Sequence, residues 1–207
     1  MRKEIMFAGS GGQGVITASI IYAEAAALHA GFHVVQSQAY GPEARGGTSN
    51  AHVILNDVEV GYPKVTQPHV MVCLNQEALD KFGDKLRPGG LLLTDCGLTR
   101  SLRQFDARVF SLPMHEAVVK EIGLPLAFNI CVLGALAGLV PDVEAEALRR
   151  VLRRRIPGRF LEKNLLAFDR GLALGQGAEP WRAGVPLHVS LGARGEVLPG
   201  NGQGPGC

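Results

Sequence analysis

Short apolar runs alternate with longer helical patterns along the first half of the chain. Six runs have the apolar or alternating character of β-strands, and they lie at 4–8, 32–38, 50–55, 70–74, 91–94 and 108–112. Two helices are predicted among them, an alanine-rich one at 15–30 and a second around 76–86. After Pro113 the pattern is mainly helical, with helices predicted at about 114–122, 127–139, 142–155 and 162–174.

This order of elements predicts an α/β fold. A strand, a glycine turn and a helix begin a strand–helix–strand unit, which favours a Rossmann-like, open, mostly parallel sheet flanked by helices, with a helical C-terminal part. The chain has 207 residues, which predicts one domain, because cores usually divide only beyond roughly 250 residues. Residues 176–207 hold 8 glycines and 4 prolines, so we expect a domain at 1–175 and a Gly/Pro-rich tail at 176–207.

Composition narrows the classes of function. Hydrophobic residues make up 46% of the chain and charged residues 19%, which is too apolar for a disordered protein. The net charge of +2 leaves no excess of positive charge for neutralising many phosphates, so nucleic acid is not an expected partner. The longest uncharged stretch, 124–140, has 17 residues and is interrupted by a proline and two glycines. It is too short and too broken for a membrane span, so no membrane partner is expected.

The cysteines argue against a metal centre on this chain. Cys73, Cys96, Cys131 and Cys207 are at least 23 residues apart, so no C-x-x-C unit is present for zinc or for an iron–sulfur cluster. The first three lie within apolar runs, and no signal peptide is recognised at the N-terminus. We therefore expect reduced, buried thiols in a cytoplasmic protein.

The most informative local motif is a glycine-rich turn between the first strand and the first helix. Gly9-Ser10-Gly11-Gly12-Gln13-Gly14 fits G-x-G-x-x-G, a pattern whose backbone amides can bind phosphate at a helix N-terminus. A dinucleotide site also needs an acidic residue roughly 20 positions further on to bind the ribose hydroxyl. Residues 31–41 contain no Asp or Glu, which disfavours NAD or FAD. The motif then indicates either a structural tight turn or amides that meet an anion or a partner chain.

A second dense motif follows at the same expected edge of the sheet. Tyr40-Gly41-Pro42-Glu43-Ala44-Arg45-Gly46-Gly47 combines a fixed proline, an acid and a base two residues apart, and paired glycines. Such a rigid turn can direct Arg45 at a carboxylate or phosphate in bidentate geometry. A Glu43–Arg45 ion pair that only braces the loop explains the same residues.

Two helical features have alternative interpretations. Gly134-x-x-x-Gly138 permits a close helix–helix approach, either within the chain or at a seam between subunits. The arginine-rich run at 149–159 indicates a solvated or salt-bridged helix end, with the docking of an acidic partner as the alternative.

Together, the two glycine motifs resemble the gamma subunit of the 2-oxoacid:ferredoxin oxidoreductases, which include the pyruvate, 2-oxoglutarate, branched-chain 2-oxoacid and indolepyruvate enzymes. Asn129-x-x-x-Leu-Gly-Ala-Leu136 and Lys163-Asn164 add to the resemblance, which covers about residues 3–175. It implies a subunit of an oxidoreductase with no complete active site and no catalytic residue of its own. The assembled reaction would convert a 2-oxoacid and coenzyme A to acyl-coenzyme A, carbon dioxide and two reducing equivalents.

The resemblance also implies partners and cofactors. Thiamine diphosphate is expected between the alpha and beta subunits, and iron–sulfur clusters on other chains would carry electrons to ferredoxin. A delta subunit is a further candidate partner, and the isolated chain could form a homodimer. Coenzyme A is a candidate ligand of this chain, and the residues expected to meet it or a neighbouring subunit are Gly11, Gly12, Gln13, Gly14, Glu43, Arg45, Gly46 and Gly47. The alternatives are a stand-alone nucleotide-binding oxidoreductase and a purely structural assembly module.

Overall fold

A six-stranded sheet with helices on both faces forms the body of the computed structural model, which describes residues 1–39, 47–100 and 104–180. The strands are β1 (Arg2–Ser10), β2 (His33–Ala39), β3 (Thr48–Asn56), β4 (Val70–Cys73), β5 (Gly90–Asp95) and β6 (Ala107–Leu112). The helices are α1 (Val15–His29), α2 (Gln76–Phe82), α3 (Met114–Glu116), α4 (Phe128–Leu139), α5 (Ala145–Arg155) and α6 (Gly158–Gln176). Short helical turns follow α2 at Gly83–Lys85, follow α3 at Ala117–Ile122 and precede α4 at Pro125–Ala127.

The strand order is β2-β3-β1-β4-β5-β6. β1, β4, β5 and β6 are parallel, whereas β3 is antiparallel to both of its neighbours, β1 and β2. Ile5 pairs with Val70, Val70 with Leu91 and Leu91 with Arg108, so the four parallel strands start at one edge and end at the other. The predicted α/β fold with an open, mostly parallel sheet is confirmed, and β3 lies between the two strands that α1 connects.

Both faces of the sheet are buried, which explains the unbroken apolar run in β1. Successive side chains of a strand point to opposite faces. Ile5 and Phe7 join the larger core under α1, α4, α5 and α6, while Met6 and Ala8 join a smaller one under α2. A strand that is covered on both faces has no solvent side for polar residues.

Helices α4 and α6 pack along a seam of glycines. A Cβ placed on Gly134 would lie 2.0 Å from the carbonyl oxygen of Phe168, and one on Gly171 would lie 1.9 Å from the carbonyl oxygen of Cys131. Gly138 and Gly175 face the opposite backbone in the same way. The Gly134-x-x-x-Gly138 pattern is therefore an intrachain packing motif.

The arginine-rich run is salt-bridged within the chain. Arg154 and Arg155 both pair with Glu24 of α1, and Arg149 pairs with Asp169 of α6 at 2.7 Å. These pairs join α5 to its two neighbouring helices, as the first of the two interpretations expects.

Element boundaries differ from the expectation mainly in the helical part. α6 begins at Gly158, four residues before the predicted start, because Pro157 directly precedes the helix and its fixed φ suits that position. α5 begins at Ala145 and not at 142, since Val143 is fully buried against the core. The expected tail beyond residue 180 lies outside the described residues, and the division at residue 175 stays a prediction.

Candidate functional site

The glycine turn connects the end of β1 to the start of α1. Gly12 has φ +92° and Gly14 has φ +71°, a left-handed backbone conformation that side-chain-bearing residues rarely adopt. A Cβ on Gly9 would lie 2.6 Å from Gln13 Oε1 and 2.9 Å from Val15 Cγ2. Glycine is thus needed at positions 12 and 14 for conformation and at position 9 for space.

Gln13 braces the turn from within. Its Oε1 accepts a hydrogen bond from the Ser10 amide at 2.7 Å, and its Nε2 donates to the Leu74 carbonyl at 3.3 Å. The second bond ties the turn to the residue that follows β4. Both ends of the Gln13 side-chain amide are engaged inside the protein, so this residue shapes the turn and its side chain does not extend into solvent.

Asn129, in the first turn of α4, supports the turn from the other side. Its Nδ2 donates to the Gly14 carbonyl at 3.3 Å, and a Cβ on Gly14 would lie 2.5 Å from that same nitrogen. Asn129 is 8% exposed. From the sequence, Asn129 contributed only to the resemblance. A polar residue in an otherwise apolar helix was nevertheless a signal for a buried hydrogen bond.

A cleft of about 250 Å³ opens at this turn. Its lining is formed by residues with small, apolar or hydroxyl side chains, namely Ser10, Gly11, Gly12, Gly14, Val15, Ile16, Thr17 and Ser49. Within the described chain, the amides of Gly11, Gly12 and Gly14 donate no hydrogen bond. Unpaired amides beside the N-terminus of α1 form a positive region, so the cleft suits an anionic group such as a phosphate or carboxylate.

The strand before the second glycine motif, β2, ends at the edge of the sheet where the glycine turn lies, and the strand after it, β3, begins there. Ala39 pairs with Asn50, and Thr48 pairs with Ser10 of the glycine turn. Thr48 also donates to Glu77 of α2 at 2.5 Å, which fixes the start of β3. Gly47 is half-buried beside this pair. Glu43, Arg45 and Gly46 lie outside the described residues, so both interpretations of that loop stay predictions.

A buried carboxylate organises the same edge at the end of β5. Asp95 is fully buried and accepts hydrogen bonds from the amides of Gly97, Leu98 and His115, the last at 2.7 Å. Burial raises the pKa of Asp95, and the three amide bonds oppose that rise. The two carboxylate oxygens of Asp95 thus join the end of β5 to the start of α3, so the role of Asp95 is structural. Asp95 was not among the residues predicted from the sequence, although an Asp two residues before Gly97 at a strand end is a signal for a side-chain-capped turn.

The buried thiols of Cys73 and Cys131 are unreactive. Cys73 and Cys131 are free and buried, and burial raises the pKa of each to about 12, far from the thiolate form that reacts with electrophiles or metals. Cys96 is disulfide-bonded, so the expectation of a reduced thiol is wrong at that position.

The described residues contain neither a group of metal-binding side chains nor a membrane-spanning helix. Across residues 1–39, 47–100 and 104–180, no three His, Cys, Asp or Glu side chains come together where they could hold a metal ion. In the same ranges no helix combines the length and the apolar character that a membrane span requires.

Comparison with known sequences gives consistent matches over the body of the chain. A family model described as pyruvate ferredoxin/flavodoxin oxidoreductase matches residues 4–174. The 2-oxoglutarate synthase subunit KorC of Methanocaldococcus jannaschii is 42% identical over 173 residues, which are 83% of this chain and 92% of that protein. The ketoisovalerate oxidoreductase subunit VorA of Methanothermobacter marburgensis is 34% identical over 170 residues, but the match spans only 35% of that longer protein.

Solved structures show the same relationship. The gamma subunit of a keto/oxoacid ferredoxin oxidoreductase from Geobacter sulfurreducens superimposes with a TM-score of 0.80 at 38% identity, over 86% of this chain and 98% of that one. A 2-oxoglutarate:ferredoxin oxidoreductase from Magnetococcus marinus, solved with 2-oxoglutarate, coenzyme A and succinyl-CoA bound, gives a TM-score of 0.78 at 26% identity. This chain corresponds to 32% of that longer chain and is itself covered over 88%. The resemblance stated from the sequence is confirmed.

Proposed function

Since the chain belongs to the pyruvate ferredoxin/flavodoxin oxidoreductase family, we propose that it is the gamma subunit of an assembly that oxidises 2-oxoglutarate to succinyl-coenzyme A. The identity of 42% to a 2-oxoglutarate synthase subunit, over 92% of that subunit, is the observation that carries the proposal. Thiamine diphosphate and the iron–sulfur clusters belong to the partner chains in this proposal, and they supply the carbon–carbon bond cleavage and the electron transfer.

A purification from the native cell tests the subunit role. The tagged full-length chain should bring down larger chains that carry thiamine diphosphate and iron–sulfur clusters. The isolated complex should reduce ferredoxin or a viologen dye when both 2-oxoglutarate and coenzyme A are present. Recovery of a lone homodimer would contradict the subunit role. A complex that prefers pyruvate or 2-oxoisovalerate would contradict only the choice of substrate.

This chain's own part in the reaction is to hold an anionic group at the glycine turn. The unpaired amides of Gly11, Gly12 and Gly14 line the cleft, and Gln13 and Asn129 hold the turn in shape. Coenzyme A carries phosphates that such amides bind well. Thr48, the first residue of β3, pairs with Ser10 of the turn, and Arg45 precedes it by three positions in the sequence, so we propose its guanidinium as the second contact for a phosphate.

Arg45→Ala distinguishes ligand contact from assembly. An intact complex with a KM for coenzyme A raised about tenfold supports contact with the ligand, because a charge-assisted hydrogen bond is lost. Arg150→Ala, on the exposed face of α5, is the matched control and should leave the KM unchanged. Loss of the complex in Arg45→Ala alone would favour a purely structural assembly role for the loop.

We propose that the assembly lies in the cytoplasm, because the thiols of Cys73 and Cys131 are free, as in a reducing compartment; the disulfide at Cys96 points the other way. Fractionation of the native cell, followed by immunodetection of the chain, should find it with cytoplasmic enzymes. Enrichment in a membrane or extracellular fraction would contradict this location.

A further inference from the structure

A second and larger cleft lies at the opposite edge of the sheet, where the parallel strands begin. It has a volume of about 390 Å³ and lies between the starts of β1, β4, β5 and β6 and the end of α4. Pro88, Leu139 and Pro141 contribute accessible apolar surface to it, and the nearly fully buried Val70 and Leu91 lie beneath. Small-molecule sites typically have volumes of about 300 Å³ or more, so this amino-edge cleft is large enough for one small ligand.

The charged side chains that line the amino-edge cleft are basic. They are Lys3, Arg87 and Arg108, which lie with His69, and no Asp or Glu is among the lining residues. Lys3 is neutralised by Asp142. In the part of the chain that the structure describes, the guanidinium groups of Arg87 and Arg108 have neither an ion-pair nor a hydrogen-bond partner. Two uncompensated cations therefore border one concave surface.

His69 adds a fixed donor to this surface. Its Nδ1 accepts a hydrogen bond from the Glu4 amide at 3.1 Å, so the proton of the neutral ring lies on Nε2. Burial lowers the pKa of His69, and the charges of Arg87, Lys3 and Arg2 lower it further, whereas Glu4 opposes the shift. The ring is thus neutral at pH 7 and presents an N–H donor.

The backbone amides at the amino-edge cleft already donate hydrogen bonds within the chain, in contrast to those of the glycine turn. The Gly89 amide donates to Asp106 at 2.7 Å, Gly90 to Arg87 at 3.0 Å and Leu91 to His69 at 3.0 Å. Recognition at this edge must therefore come from side chains. Guanidinium groups bind phosphate and carboxylate in bidentate geometry.

We propose that the amino-edge cleft is a second ligand site, which binds a small molecule bearing a phosphate or carboxylate group. Arg87 and Arg108 bind the oxyanion, and His69 donates a hydrogen bond to it. The apolar remainder of the ligand packs on the side chains of Pro88, Leu139 and Pro141, which line the same cleft. The site is independent of the glycine turn, because it lies at the other end of the strands.

Calorimetric titration of the full-length chain with two probes tests the site. Pyrophosphate represents the phosphate class, and citrate represents the carboxylate class. We expect saturable binding of one of them, and the tighter probe identifies the class. Arg87→Gln and Arg108→Gln should each weaken that binding about tenfold, since each removes one charge-assisted contact. Arg150→Gln is the matched control and should bind as the unmodified chain does.

Two outcomes would overturn the proposal. The first is the absence of saturable binding of both probes at millimolar concentration. The second is binding that the double variant Arg87→Gln/Arg108→Gln retains unchanged, which would assign the anion to another site such as the glycine turn. Both arginines are exposed, so the variants should fold, and thermal unfolding of each variant verifies this.

Discussion

Glycines perform opposite tasks in the glycine turn and in the α4–α6 seam. In the seam, the missing side chains let two backbones touch, and any Cβ on Gly134 or Gly171 would overlap a carbonyl oxygen. In the turn, Gly11 and Gly12 have no heavy atom within 4 Å of where a Cβ would lie. The seam requires glycine because the opposite backbone occupies the space of a side chain. Gly11 and Gly12 of the turn leave open space beside amides that donate no hydrogen bond within the described chain.

This difference separates stability from function. Seam glycines face backbone, which cannot move aside as a flexible side chain can. Gly11 and Gly12 face the cleft, so a methyl group there would meet a ligand bound at the turn and not the protein. Substitutions by alanine should therefore fall along a scale from loss of the fold to loss of ligand binding alone.

Gly171→Ala should have the largest effect. Its Cβ would lie 1.9 Å from the Cys131 carbonyl oxygen, so α4 and α6 must separate and open the core. We expect a loss of about 3 kcal/mol in the free energy of unfolding, as for other overpacked cores. Urea unfolding followed by circular dichroism measures it. Gly158→Ala, in the same helix with open space around it, is the control and should lie within about 1 kcal/mol of the unmodified chain. Equal stability of the two variants would show that the seam tolerates expansion.

Gly14→Ala should come next, at about 2 kcal/mol, because it combines a left-handed φ of +71° with a clash against Asn129. Most of the clash is removable. Asn129→Ala deletes the two shortest contacts, at 2.5 and 2.7 Å, and leaves the one to the Asn129 Cβ at 2.9 Å, so the double variant should be about 1 kcal/mol more stable than the sum of the two single changes predicts. A double-mutant cycle in urea measures this coupling. Strict additivity would mean that backbone strain alone accounts for the effect.

Gln13→Ala should destabilise the chain by about 1 kcal/mol. It removes the acceptor of the Ser10 amide and the donor to the Leu74 carbonyl, both partly buried. Thermal unfolding compared with Gln104→Ala, an exposed glutamine elsewhere, isolates the contribution of the brace. Equal unfolding temperatures of the two variants would mean that water replaces the Gln13 hydrogen bonds with no loss of stability.

Gly11→Ala should change the free energy of unfolding by less than about 0.5 kcal/mol, because its Cβ meets nothing and its φ is not left-handed. Its effect should appear only in the assembled enzyme, as a several-fold increase in the KM for coenzyme A. Gly61→Ala, also in open space, is the control. An unchanged KM would place coenzyme A away from this turn and would leave the amides to a partner chain.

Much of the fold could be predicted because its signals are local. The apolar run at 4–8 and the alternation in 50–55 are periodic patterns that identify strands without knowledge of their partners. The glycine turn was predictable from spacing alone, since Gly12 and Gly14 occupy positions where only glycine adopts the backbone conformation easily. The position of β3 between β1 and β2 was not predictable in this way, because it depends on pairing between residues 38 to 54 positions apart, from Ser10 with Thr48 to Arg2 with Asn56.

The candidate site likewise contains residues that a local motif identifies and residues that only the fold brings together. Gly11, Gly12 and Gly14 were candidates from the motif, and the structure places all three around one cleft. The contact of Asn129 with Gly14 joins residues 115 positions apart, and the basic side chains and the histidine of the amino-edge cleft come from separate segments of the chain. No local pattern marks residues that become neighbours only when strands align.

The order of residues along the chain was enough to predict most elements, the glycine turn and the family, because periodicity, glycine spacing and motif order are local properties. Only the folded chain shows which glycines touch backbone and which face open space, what Asn129 supports, and that Arg87 and Arg108 share a cleft. Those outcomes depend on the distances between remote segments. Such distances exist only after the sheet has formed and the helices have packed on it.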